Sequence, residues 1–138
     1  MTSSEVSRLA ALASPRLRLA AKTALVVEVG CIAWLASFGH IQQMQVQSFF
    51  LFNDKVAHLL AFLVAGLTAS LAFRSLIWSA LALSVVAGGV EIMQIFVPGR
   101  TASILDFAAS LAGVAGGLAL GAVLWPVLLK RMNRVAST

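Results

Sequence analysis

The sequence predicts an all-α fold: a bundle of four transmembrane helices with both termini in the cytoplasm. The mean hydropathy is +0.96, and 60% of the 138 residues are hydrophobic. Only 11% of the residues are charged, whereas about 25% is usual in soluble domains. The apolar residues form continuous runs rather than alternating ones, which favours helices over a β-barrel.

Four apolar segments approach or exceed the roughly 20 residues that a membrane-spanning helix needs. They lie at Leu19–Phe38, Val56–Phe73, Leu76–Val97 and Ile104–Leu129. The first is longer than the apolar region of a usual signal peptide and contains Glu28, so we interpret it as an uncleaved span. We therefore expect one four-helix membrane domain over residues 19–129, between basic tails at 1–18 and 130–138.

Lysine and arginine are distributed unevenly between the two ends of these spans. Eight of the ten lie in the tails and in the turn between the second and third spans: Arg8, Arg16, Arg18, Lys22, Arg74, Lys130, Arg131 and Arg134. The remaining two, Lys55 and Arg100, lie in the other two loops. Because positive charge concentrates in cytoplasmic loops, Lys55 and Arg100 are predicted to lie outside. The high pI then reflects orientation, and we expect no nucleic-acid partner.

Small residues recur at every fourth position of the fourth span, at Gly113, Gly117 and Gly121. The same helical face continues to Ser110 and Asp106. Small residues allow membrane helices to approach closely, which predicts that this face packs against another helix. Its polar end therefore lies among helices rather than against lipid.

Polar side chains gather at the predicted outer ends of the spans. They are Asp54, Lys55, His58, Glu91, Gln94, Arg100 and Asp106. A helical rise of about 1.5 Å per residue places all of them within about 10 Å of one depth. A charged group inside a span costs about 2.5–3.5 kcal/mol on insertion scales, so this many polar groups indicate a functional pocket.

Each residue type indicates a role in that pocket. We predict that His58, Glu91 and Asp106 are catalytic, as acid, base or ligand groups. Asp54, Lys55, Gln94 and Arg100 are predicted to bind substrate. Arg100 suits two-pronged binding of a phosphate or carboxylate. The structural alternative is an ion pair of Arg100 with Asp106 or Glu91 that ties a loop to a helix.

A metal ion is conceivable in the same pocket. His58, Glu91, Asp54 and Asp106 offer nitrogen and oxygen ligands that suit a divalent ion. Their spacing matches no strong metal-binding motif, so the metal and any cofactor stay unknown at this point.

Three further features qualify this prediction. Glu28, near the middle of the first span, could join the pocket or a cytoplasmic access path, could be protonated and hydrogen-bonded, or could face a partner protein. The longest loop, Gly39–Asp54, is predicted to lie at the interface or to re-enter the membrane. The three tryptophans, Trp34, Trp78 and Trp125, are predicted to anchor the interfaces.

The segments "NDKVAHLLAF", "GGVEIMQIFVPGR" and "TASILDFAASLAGVAGGLAL" resemble the VanZ-like family of small bacterial membrane proteins. The pattern is D-K-x-x-H, then E-x-x-Q-x-x-x-P-x-R, then an aspartate that opens a helix rich in small residues. The three blocks occur in order over residues 53 to about 121. The family pattern often has an asparagine shortly after the last aspartate, where this chain has Ala109 or Ser110.

The resemblance implies a place in the bacterial cytoplasmic membrane and a role in the cell envelope. The family takes its name from a protein associated with low-level resistance to teicoplanin, a glycopeptide antibiotic with a lipid tail. Its motif positions correspond to the seven pocket residues, Asp54, Lys55, His58, Glu91, Gln94, Arg100 and Asp106.

Two functions remain open, and the sequence does not decide whether the protein is an enzyme. The first is a pocket that binds or acts on an envelope lipid, a lipid-linked phosphate or a glycopeptide. The second is a non-catalytic small subunit that packs on a larger membrane assembly or on a second copy of itself. The glycine stripe and Glu28 would then supply contact surfaces.

Overall fold

The computed structural model describes residues 14–37 and 54–135. These residues form four α-helices and no strand: α1 Pro15–Ala36, α2 Asp54–Ala72, α3 Leu76–Ile95 and α4 Ile104–Val135. All four are long and apolar enough to cross a membrane, α4 through its segment Ile104–Leu129. This confirms the all-α class and indicates a multi-pass membrane protein. The cytoplasmic position of the termini stays a prediction.

Some predicted features lie outside the described residues. They are the first 13 residues of the basic N-terminal tail, the last three residues of the C-terminal tail, and positions 38–53, which include most of the predicted interfacial or re-entrant loop.

Helix α1 begins four residues before the predicted start of the first span. The Leu17 N–H donates to Ser14 Oγ at 3.2 Å, so Ser14 caps the helix. Pro15 follows at the first helical position, where a missing N–H costs nothing because that N–H would have no helical partner. Helix α4 likewise runs on to Val135, beyond the predicted end at Leu129.

Helices α2 and α4 pack with their backbones in contact. A Cβ atom added to Gly117 would collide with the carbonyl oxygen of Leu63 and lie 2.7 Å from the backbone nitrogen of Leu67. A Cβ atom at Gly113 would collide with the carbonyl oxygen of Leu59 in the same way. The predicted glycine stripe is therefore used within the chain, against α2.

A tryptophan on α4 bonds the C-terminal end of α2. The indole N–H of Trp125 donates to Ser70 Oγ at 2.9 Å and lies 3.2 Å from the carbonyl oxygen of Leu67. Trp125 thus ties two helices together. Trp34 and Trp78 are 63% and 72% exposed, which suits the predicted interfacial anchors.

Replacing Trp125 by phenylalanine should weaken this end of the helix pair. An aromatic ring is retained, but the pyrrole part of the indole and its N–H donor to Ser70 are lost, which should lower the free energy of unfolding by at least about 1 kcal/mol. Reversible unfolding in mixed micelles measures this change. Trp78→Phe, on an exposed face, is the control and should have little effect. Equal losses in both variants would show that the indole hydrogen bond contributes no stability.

Helices α1 and α3 pack on the α2–α4 pair. Phe62 is fully buried where the helices meet. The turn between α2 and α3 spans only residues 73–75, so these helices are antiparallel neighbours. The Lys22 ammonium lies 5.6 Å from the centre of the Phe73 ring, next to that turn. The C-terminal ends of α1 and α3 therefore meet the N-terminal ends of α2 and α4.

Candidate functional site

A tight turn after α3 directs Arg100 toward α2. The Arg100 N–H donates to the Val97 carbonyl oxygen at 3.1 Å. Pro98 and Gly99 occupy the middle of the turn, and Gly99 has a φ of 78°, as a type II turn requires. The Arg100 Nη2 donates to Asp54 Oδ2 at 3.1 Å. The Arg100 side chain is 5% exposed, so the pair is largely withdrawn from solvent.

Glu91 reaches from α3 to the N-terminus of α4. Ser103 caps α4, because the Asp106 N–H donates to its Oγ at 3.3 Å. In a capping box, the side chain three residues after the cap accepts the N–H of the cap residue. Here Glu91 Oε2 accepts the Ser103 N–H instead, at 2.8 Å. The positive end of the α4 dipole stabilises this carboxylate, which gives the buried Glu91 a structural role.

The carboxylate of Asp106 pairs with a lysine on α2 and does not accept the N–H of the cap residue Ser103. Lys55 Nζ lies 3.1 Å from Asp106 Oδ1. The sequence offered Asp106 or Glu91 as partners of Arg100, and the structure gives Asp54 instead. The reason is that Glu91 accepts the Ser103 N–H and Asp106 faces Lys55.

His58 is held by one ring nitrogen. Its Nδ1 lies 3.1 Å from Ser110 Oγ and 3.8 Å from Glu91 Oε1. The Ser110 hydroxyl donates its only proton to the Asp106 carbonyl oxygen, at 3.0 Å. In the tautomer that carries its proton on Nδ1, His58 donates to Ser110 Oγ and the ring lone pair lies on Nε2.

Serine, histidine and glutamate also make up a hydrolytic triad, but this arrangement is not one. In a triad the serine and the carboxylate bond opposite ring nitrogens. Here Ser110 and Glu91 both approach Nδ1 of His58. Ser110 is also fully buried, out of reach of a substrate. Its role is to orient His58.

A cavity of about 110 Å³ opens beside these contacts. Its polar lining is Asp54, His58, Gln94 and Arg100, and its apolar lining is Ile32, Leu35, Ala36, Ala57, Ala61, Phe62 and Val90. Gln94 is 1% exposed, and neither atom of its amide has a hydrogen-bond partner within the described part of the chain. Pockets for drug-sized ligands span about 300–1,000 Å³, so this cavity suits a head group.

The structure brings the seven predicted site residues to one end of the bundle. Four line the cavity, whereas Lys55, Glu91 and Asp106 do not. Glu91 instead borders a more open groove of about 320 Å³ between α3 and α4. Sequence reasoning left Ser103 and Ser110 out of the site. Both could have been found from the sequence. The spacing of Ser103 and Asp106 matches a helix cap, and Ser110 lies one helical turn after Asp106.

Glu28 does not line this cavity. Its Oε1 accepts a hydrogen bond from the Thr68 hydroxyl at 2.9 Å. Of the interpretations left open for Glu28, a hydrogen bond to a neighbouring helix is therefore observed. Its second oxygen, Oε2, is buried and has no hydrogen-bond partner in residues 14–37 and 54–135.

Three of the predicted metal ligands come together. Asp54, His58 and Asp106 each offer one ligand atom, and these atoms lie within 4.8 Å of one another. The fourth predicted ligand, Glu91, is not in this group; its Oε2 accepts the Ser103 N–H.

The helices and the site together define a multi-pass α-helical membrane protein with a buried polar cluster at one end. Comparison with models of known protein families, with curated proteins and with solved structures finds no match. The resemblance to the VanZ-like family thus rests on the motif residues alone and stays a prediction.

Proposed function

We propose that this chain is a VanZ-like protein of the bacterial cytoplasmic membrane that binds the anionic head of an envelope lipid or lipid-linked molecule. The supporting observation is the pair Gln94 and Arg100. Both line one small cavity, and both hold buried nitrogen donors without a hydrogen-bond partner among the described residues.

The two donors suit an oxyanion. Arg100 gives Nη2 to Asp54, while its Nη1 has no partner in the described ranges. A planar guanidinium can bind a second oxygen through that nitrogen. The Gln94 amide adds a neutral donor. An unsatisfied buried polar group costs about 1–3 kcal/mol, which a phosphate or carboxylate oxygen would relieve.

The cavity walls suit the chain attached to such a head. Ile32 and Leu35 of α1 form one side, and Phe62 and Val90 belong to the opposite helices. The volume admits the head group only, so the alkyl chain would remain among the apolar faces of the bundle. A lipid-linked phosphate or the lipid-tailed part of a glycopeptide has this form.

If the bound molecule reacts, by hydrolysis or group transfer, His58 is the residue placed to take part. Of the three predicted catalytic residues, His58 lines the cavity, and an imidazole can donate or accept a proton. Glu91 and Asp106 would act as positioning residues, through Ser103 and Lys55 respectively.

The alternative, a non-catalytic subunit of a larger assembly, was suggested by two features that now have partners within the chain. The glycine stripe that suggested a partner helix packs against α2 of the same chain. Glu28 likewise bonds Thr68 within the chain.

Native mass spectrometry of the protein, extracted gently from its own membrane, tests the lipid function. We expect an anionic lipid adduct that is lost in Arg100→Ala and weakened in Gln94→Leu, which removes a donor without breaking the Asp54 ion pair. Arg74→Ala removes an exposed arginine at the opposite end and should retain the adduct.

Two outcomes would contradict this function. An adduct of equal abundance in Arg100→Ala and Arg74→Ala would place the lipid elsewhere. A stoichiometric protein partner, retained in both variants with no lipid in the wild type, would favour the subunit alternative.

A further inference from the structure

We propose that Asp54, His58 and Asp106 bind one divalent transition-metal ion at this end of the bundle. Their ligand atoms lie within 4.8 Å of one another. Asp54 and His58 lie one turn apart on α2, and Asp106 lies in the first turn of α4. The ligands therefore come from the two helices whose backbones are in contact.

The three ligand atoms are near enough to converge on one ion. Bonds from zinc to nitrogen or oxygen are about 2.0–2.2 Å, so neighbouring ligands of a tetrahedral ion lie about 3.4 Å apart. Ligand atoms within 4.8 Å of one another therefore have to approach by at most about 1.4 Å, which side-chain rotation can supply. One imidazole nitrogen and two carboxylate oxygens suit Mn²⁺ or Zn²⁺ better than a purely oxygen-liganded ion such as Ca²⁺.

His58 is already oriented as a ligand. Metal-bound histidines usually donate their other ring N–H to a fixed acceptor, which sets the tautomer. Here Ser110 Oγ lies 3.1 Å from Nδ1 and can act as that acceptor, in the tautomer whose lone pair lies on Nε2.

A second observation, independent of the acids, also indicates a ligand. Gln94 is 1% exposed and lines the same cavity as Asp54 and His58. Both atoms of its amide lack a hydrogen-bond partner in the part of the chain that the structure describes. A metal ion with three protein ligands keeps a water molecule in its open position. Such a water would give the Gln94 oxygen a donor.

The charge of the cluster favours a cation. Three carboxylates, of Asp54, Glu91 and Asp106, face one ammonium and one guanidinium, of Lys55 and Arg100. If His58 is counted as neutral, the net formal charge of these five groups is −1. A bound divalent ion would make it +1. The ion would thereby attract the oxyanion of the proposed function, although the metal site stands on its own ligands.

Lys55 is the competitor of this ion. Its Nζ lies 3.1 Å from Asp106 Oδ1, and its side chain is 45% exposed. The contact is an ion pair without the geometry of a directed hydrogen bond. Removing the ammonium should therefore strengthen metal binding, because it removes a positive charge in contact with a ligand carboxylate.

The test is titration of Mn²⁺ into metal-free, detergent-purified protein, followed by electron paramagnetic resonance. We expect one ion per chain in the wild type and about tenfold tighter binding in Lys55→Gln. Asp106→Asn should weaken binding by more than the roughly 10–100-fold that a residue supporting a ligand contributes. Glu28→Gln, an acid elsewhere in the bundle, is the control and should bind as the wild type does.

Electron spin-echo envelope modulation detects nitrogen nuclei that are bound to Mn²⁺, and so tests whether His58 is a ligand. A signal from imidazole nitrogen should be present in the wild type and absent in His58→Gln. The site is overturned if wild type and Lys55→Gln both fail to bind Mn²⁺, if Asp106→Asn binds equally well, or if the nitrogen signal survives in His58→Gln. The higher Mn²⁺ affinity expected in Lys55→Gln cannot arise from a folding defect. Because lipid binding can persist even where Mn²⁺ binding fails, this test is separate from that of the proposed function.

Discussion

Gly117→Ala is expected to destabilise the bundle by about 3 kcal/mol, at the upper end of the range for overpacked cores. The added methyl group meets the backbone of α2 at Leu63 and Leu67. Backbone atoms cannot rotate away as a side chain can, so the two helices must separate. Alanine favours helices more than glycine does, which makes the expected loss a consequence of packing alone.

Gly89→Ala provides the matched control on α3. A Cβ atom at Gly89 meets nothing within 4 Å among the described residues. The substitution should therefore leave stability unchanged or raise it by up to about 1 kcal/mol. Reversible unfolding in mixed micelles, followed by tryptophan fluorescence, measures both variants. Equal stability of the two would show that α2 and α4 are not in close contact.

The second large effect is expected at the Asp54–Arg100 ion pair. Asp54→Asn leaves the Arg100 guanidinium, which is 5% exposed, without its charged partner. Breaking a buried pair in this way costs about 3–5 kcal/mol. Arg100→Gln should cost less, because the Asp54 side chain is 27% exposed and water can partly solvate it. The double variant Asp54→Asn/Arg100→Gln should recover much of the loss, since neither charge remains.

This double-variant cycle shows whether the Asp54–Arg100 ion pair only stabilises the fold or whether Arg100 also binds a ligand. If the pair only ties the loop to α2, the double variant should regain both stability and the bound lipid. If Arg100 binds an oxyanion, the double variant should regain stability while the lipid adduct stays absent. Strictly additive losses in the cycle would show that the two side chains do not interact.

The helices were predictable because membrane spanning imposes length and apolarity over whole segments. The predicted core of each span corresponds to an observed helix. The ends were less predictable. The first span was predicted to begin at Leu19, whereas α1 begins at Pro15, because a proline at the first helical position suits a helix start. The α4 helix continues past Leu129 because neither Pro126 nor the basic residues after it end the backbone hydrogen bonding.

The grouping of the site residues was predictable, but their partners were not. Helical periodicity gives the face and depth of Arg100, Glu91 and Asp106. It does not say which helices are neighbours or which side chain reaches which acceptor. The pairing of Glu91 with the N-terminus of α4 depends on an interhelical contact, and this contact decides the partners of the other two.

The contacts of α4 have a consequence for how the chain enters the membrane. Glu91 on α3 is held by the Ser103 N–H, and His58 on α2 by Ser110. Both partners are synthesised after the groups that they satisfy. Until α4 is inserted, the bilayer contains a histidine and a glutamate without these contacts, which is costly in hydrocarbon. Insertion of α4 is therefore the step that completes the polar cluster, and a chain stalled before it would leave both groups without these partners.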